Sequence, residues 1–121
     1  MIIVDTSVWV DHFRRRGPAL ARIIADEGVV LHPYVRGELL LGGLSMEGEV
    51  AEQLAMLPCP PVASSSEAAA FISWGSLAGT GIGYVDTHLL VSAKLASEGR
   101  VLTRDKRLLA QAERLGVAYA P

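Results

Sequence analysis

Four acidic residues, Asp5, Glu38, Asp86 and Asp105, stand in contexts that suit metal-assisted phosphodiester hydrolysis. Asp5 follows the apolar run Ile2-Ile3-Val4, and Asp105 closely follows Arg100-Val101-Leu102-Thr103. Short β-branched apolar runs are the pattern of strands buried on both faces of a parallel sheet. These two acids therefore share the carboxyl edge of such a sheet, where ligand sites form. Glu38 is set among Val35, Leu39, Leu40 and Leu41, where a charge, if buried, is costly without a partner. Asp86 opens a helix that leads into the Val101 strand; its first turn falls at the same sheet edge or at the opposite one, depending on how the preceding glycine loop enters.

A hard cation such as Mg²⁺ or Mn²⁺ prefers oxygen ligands, and clustered carboxylates hold it while leaving positions for water and phosphate. Such a cation neutralises phosphate charge, lowers the pKa of a bound water and stabilises the leaving oxygen, so no nucleophilic side chain is required. None is offered: His12, His32 and His88 lack a matching Cys or an elbow-type Ser motif. Each acid also has a purely structural use, Asp5 as a helix cap, Asp86 and Asp105 as first-turn acids, Glu38 as a partner for Arg36 or a more distant Arg. Only the set of four points to catalysis.

The elements that must position these acids alternate between strand and helix. After Asp5, Thr6 or Ser7 can cap a helix through Val8-Trp9-Val10 and Phe13 that stops by Gly17-Pro18, and a second helix fits Pro18 to Glu27 with Gly28 as its stop. Val29-Val30-Leu31 reads as a strand, and Pro33-Tyr34 opens the helix that carries Glu38 and ends at Gly42-Gly43. Met46 to Leu57 is helical by spacing, and Pro58 to Pro61 is extended. Ser64-Ser65-Ser66-Glu67 caps a further helix through Phe71, Ile72 and Trp74; the glycines of Gly79-Thr80-Gly81-Ile82-Gly83 make a loop; and a helix from Tyr84 runs to Gly99. Arg100 to Thr103 is a strand, Arg104 begins the last helix, and Val117-Ala118-Tyr119 is a terminal strand. This order predicts an α/β fold, a three-layer α/β/α sandwich with a mainly parallel central sheet and right-handed crossovers.

At 121 residues the chain has room for one domain, 1–121, and its 50% hydrophobic and 20% charged composition is globular. The single cysteine, Cys59, and the lack of an apolar run of membrane-spanning length lead us to expect a soluble cytoplasmic protein with no membrane association. The net charge of −2 is the wrong sign for binding nucleic acid by a general positive field. Setting the four acids aside leaves nine of the 13 acidic residues against 11 basic ones, a net +2 for the remaining surface. Arg104, Lys106 and Arg107, beside Asp105, are the best-placed phosphate contacts; Arg14-Arg15-Arg16 is a weaker candidate, because a basic run at a helix end also complements the helix dipole.

The run Ile2-Ile3-Val4-Asp5-Thr6-Ser7-Val8-Trp9, then Gly37-Glu38-Leu39, Asp86-Thr87-His88-Leu89-Leu90 with Ala93, and Leu102-Thr103-Arg104-Asp105 together resemble PIN-domain ribonucleases, and among them the VapC toxins of bacterial toxin–antitoxin pairs. No single piece is specific; the ordered combination at this length is. The resemblance implies a PIN-like sandwich, Mg²⁺ or Mn²⁺ dependence, endoribonucleolytic cleavage of an RNA substrate, inhibition by a cognate VapB-like antitoxin, and a homodimer. By position, Asp5, Glu38, Asp86 and Asp105 match the acidic quartet that serves as catalytic and metal-binding residues, with Ser7 and Thr103 as supporting hydroxyls. Ser7 and Thr103 are equally suited to be a helix cap and a strand-end residue. Two other classes compete. A receiver-like signalling domain also binds Mg²⁺, but it wants a phosphoacceptor Asp after a central strand and a late strand-end Lys, and Val62-Ala63-Ser64 and Val117-Ala118-Tyr119 supply neither. A non-catalytic interaction module has no need of acids at all four matching positions.

Overall fold

The computed structural model describes residues 1–15 and 18–120. Arg16 and Gly17, part of the basic run and of the first helix's expected stop, lie outside the described residues, as does Pro121. The elements run β1 (Ile2–Val4), α1 (Thr6–Arg15), α2 (Pro18–Glu27), β2 (Val29–Val30), α3 (Pro33–Leu41), α4 (Glu49–Ala55), α5 (Ser65–Trp74), α6 (Tyr84–Leu95), β3 (Arg100–Leu102) and α7 (Lys106–Arg114).

The three strands form a parallel sheet in the order β2-β1-β3, with Ile3 facing Val30 on one side and Val101 on the other. Every residue of β1 is buried, as its unbroken β-branched run requires of a central strand covered on both faces. The chain steps from β1 to β2 in one direction and returns past β1 to β3 in the other; with the right-handed connections that parallel strands follow, such an order places helices on both faces. Helix α2 packs against β2, while α6 packs against β1 and β3. The buried side chains form one continuous cluster in which Ile3, Val35, Leu90, Val101 and Leu108 are wholly inaccessible.

Several boundaries differ from the sequence expectation, each for a local reason. The second strand loses Leu31, whose backbone N–H donates to the Pro58 carbonyl at 2.9 Å instead of continuing the ladder. Helix α4 is shorter than Met46–Leu57 because Gly48, at φ +98°, takes the chain out of helical geometry before it, and the residue preceding Pro58 is pushed away from the α region behind it. Helix α6 stops at Leu95, not at Gly99. The expected terminal strand is a single parallel bridge, with Val101 accepting from Tyr119 and donating to Val117. The capping box on α5 forms as read: Ser64 and Glu67 exchange side-chain to backbone hydrogen bonds at 2.9 and 3.1 Å. Among the described residues, no helix is long and apolar enough to cross a membrane.

The turn after α6 fixes how β3 meets the sheet, and it depends on Gly99. A Cβ there would lie 2.4 Å from the Ala93 carbonyl oxygen and 2.8 Å from the Ala93 Cα. Both neighbours are backbone and cannot rotate away. Gly99→Ala is therefore expected to lower the unfolding free energy by about 1–3 kcal/mol, read from the urea midpoint. An unchanged midpoint would show that the α6–β3 turn yields freely.

Candidate active site

The loop between β1 and α1 delivers Asp5, α3 delivers Glu38, the first turn of α6 delivers Asp86, and the turn after β3 delivers Asp105. All four carboxylates, with Thr6 and Ser7, line one open cleft of about 310 Å³. The entry of the glycine loop, which decides where α6 begins, thus brings Asp86 to the same sheet edge as Asp5 and Asp105.

Asp5 is the floor of the cleft, only 4% exposed. Its Oδ1 accepts hydrogen bonds from the Ser7 backbone N–H and the Ser7 hydroxyl, each at 2.6 Å, and its Oδ2 accepts from the Thr103 hydroxyl. Asp5, and not Thr6 or Ser7, therefore caps α1. Thr103 is in turn fixed by the Asp105 backbone N–H, which donates to its hydroxyl oxygen at 3.0 Å. The two hydroxyls singled out beside the acids are thus supports that orient the buried carboxylate.

Asp105 begins the last helix as its cap and not as a first-turn acid: one carboxylate oxygen accepts from the backbone N–H groups of Arg107 and Leu108 at 2.9 and 3.1 Å. Its other oxygen makes none of the hydrogen bonds found among the described residues. The cap thus engages one oxygen of two.

Glu38 departs from the sequence expectation. The helix around it is apolar, yet the side chain is exposed at the cleft rim, so no buried charge demands compensation. Instead the Thr6 hydroxyl donates to its Oε1 at 2.6 Å, tying α3 to the start of α1. In the sequence Thr6 reads as a candidate helix cap within the run after Asp5, and nothing there marks it as a partner of Glu38.

Asp86 is half-buried, and its pKa is raised above 3.8 by burial and by the neighbouring Asp5 charge; Asp105 and Glu38 push the same way, against a hydrogen bond from the Gly83 backbone. Asp86 is therefore repelled by the other three acids of the cleft. Among the described residues, neither ion pair found involves a cleft acid.

The basic candidates divide. Lys106 and Arg107 are exposed, with Arg107 lying against the backbone of Gly81. Arg104 is also exposed, but its guanidinium pairs with Asp11. Asp11, the second site neighbour missed from sequence, also holds Arg15 at 3.1 Å.

His88 is buried beneath Tyr34 and Tyr84, with ring centroids 4.7 and 4.6 Å away, as a neighbour of the cleft and not a liner of it. His32, also buried, caps α3 by accepting from the Tyr34 N–H at 3.0 Å, a role not foreseen from sequence. Burial, and next the His88 charge, lower its pKa from 6.5 to about 4. Because the folded value is depressed, the stability contributed by neutral His32 is present above pH 6.5 and is lost as pH falls through about 4. His32→Asn, which keeps a capping oxygen but does not titrate, is expected to show a smaller loss of urea midpoint between pH 7 and 4 than the parent. Identical pH profiles would contradict the burial argument.

The profile of the PIN domain family matches residues 2–115. Ribonuclease VapC32 of Mycobacterium tuberculosis, in strain CDC 1551 / Oshkosh and in strain H37Rv, is 40% identical over 120 residues, covering 99% of this chain and 97% of the relative. The chain belongs to the PIN domain family, among its VapC-type members. A solved structure shares the fold: the crystal structure of FitAcB from Neisseria gonorrhoeae aligns with a TM-score of 0.63 at 24% identity, covering 98% of this chain and 95% of that one. The receiver-like alternative falls with this assignment.

The cleft of this PIN domain fits a hard divalent cation by the chemistry of its donors, which are all oxygens, and by mutual repulsion that a cation would relieve. Among the described residues, no three Asp, Glu, His or Cys side chains are drawn together as a preformed ligand cluster.

Proposed function

We propose that this PIN domain, folded as one unit over 1–121, is a Mg²⁺- or Mn²⁺-dependent endoribonuclease and the toxin of a toxin–antitoxin pair. The reading is carried by one observation: acids from four distant stretches line a single cleft in a chain 40% identical to a ribonuclease. Asp5, Glu38, Asp86 and Asp105 would hold the cation and act as the catalytic set. When bound, the cation would supply charge neutralisation at the phosphate and an acidified water for attack.

The chain's own groups do the positioning. Ser7 and Thr103 fix the Asp5 carboxylate through both of its oxygens, so it meets a ligand in one orientation. The Thr6 hydroxyl holds Glu38 at the rim, and the Asp105 cap leaves one carboxylate oxygen for the cleft. Lys106 and Arg107, with the remaining donors of Arg104, are positioned to meet RNA phosphates at the Asp105 side.

The partners that follow are RNA, a VapB-like antitoxin that silences the cleft, and a second copy of the chain, all acting in the cytoplasm. Purified chain freed of antitoxin should cut total cellular RNA with Mg²⁺ or Mn²⁺ and stop when EDTA is added. Its expression should arrest growth unless the neighbouring small gene is co-expressed. Metal-independent cleavage, or none with either cation, would overturn the proposal.

A further inference from the structure

Both ion pairs found among the described residues converge on Asp11. Its Oδ1 meets Arg15 Nε at 3.1 Å, one helical turn along α1, and its Oδ2 accepts from Arg104 Nη1. Arg104 stands between two parts of the cleft machinery, Thr103, which holds Asp5, and Asp105. Its backbone is thus next to residues of the cleft, yet its guanidinium pairs with Asp11, an acid outside the cleft lining.

Stability does not explain the arrangement. The Arg15 and Arg104 side chains are 78% and 60% exposed, and exposed pairs of this kind contribute little to folding. Asp11 is far less exposed, at 26%, and is anchored by Arg15 through an i,i+4 contact, so it offers a fixed acceptor.

We propose that Asp11 is a positioning residue that holds the Arg104 guanidinium out of the acidic cleft, so that its carboxylates stay free for a divalent cation. The proposal rests on the metal-dependent reading above. Without Asp11, Arg104 turns to the cleft acids and competes with the cation as an internal counter-charge.

Mn²⁺ binding to the purified, EDTA-stripped full chain, measured by titration calorimetry, separates these possibilities. Asp11→Asn should weaken Mn²⁺ binding roughly fivefold, the upper range for one exposed charge pair. Adding Arg104→Ala to that variant should restore the parent affinity, which a merely structural effect of Asp11 would not do. A parent that binds Mn²⁺ and an Asp11→Asn variant that binds it equally well overturn this proposal alone. So does a double variant as weak as Asp11→Asn. A parent that binds no Mn²⁺ overturns the metal reading and this proposal with it.

Discussion

Asp5→Asn is expected to lower the rate of RNA cleavage about a thousandfold or more while leaving the fold intact. The size of the loss follows from charge. A cation held by carboxylates stabilises the transition state by several kcal/mol, and each 1.36 kcal/mol is about tenfold in rate. Asp5 is the one acid of the four that is fully buried and held at both oxygens, so no neighbour can move into its place.

The fold survives because the amide can satisfy the same partners. Its oxygen keeps the two Ser7 donors, and its NH₂ faces the Thr103 hydroxyl, whose oxygen already accepts from the Asp105 N–H and has a second lone pair to offer. Loss of one negative charge also relieves Asp86, whose raised pKa should fall back toward 3.8 in the variant. Cleavage kinetics, thermal unfolding and an NMR titration of the Asp86 carboxyl test the three parts together. A variant that cuts RNA as fast as the parent removes Asp5 from the mechanism, and one that does not fold refutes the hydrogen-bond account.

What the sequence reveals about this molecule follows from which forces are local. Ile2-Ile3-Val4 and Val101 sit in strands because an unbroken β-branched run has few other places to go, and the sheet edge that follows them fixes where Asp5 and Asp105 lie. Capping chemistry is equally local, as the Ser64 and Glu67 pair shows. The apolar neighbours of Glu38 along its helix suggest burial, but exposure depends on which face the rest of the molecule covers, and Glu38 is exposed. The Asp11–Arg104 pair spans 93 positions, and no period or motif in the chain links its two members. Asp86 lay between these extremes, since its spacing fixed a helical first turn while only the packed glycine loop decided which edge that turn reaches.

Removing divalent cations should abolish cleavage and also change stability, because the empty cleft is electrostatically unfavourable. The Asp86 carboxyl has a raised folded-state pKa, so proton binding favours the folded chain. That contribution is complete below 3.8 and is lost as pH rises through the raised value, leaving a destabilising charge at neutral pH. A cation that binds only the folded chain reverses this, adding about 2.7 kcal/mol at a hundredfold excess over its Kd, or several degrees of Tm. Protons compete for the same oxygens, so the Mg²⁺-induced rise in Tm should shrink as pH is lowered toward the Asp86 pKa. Asp86→Asn should raise the Tm of the metal-free chain at neutral pH and blunt its response to Mg²⁺. Should that variant respond to Mg²⁺ as the parent does, at every pH, Asp86 is no ligand of the cation.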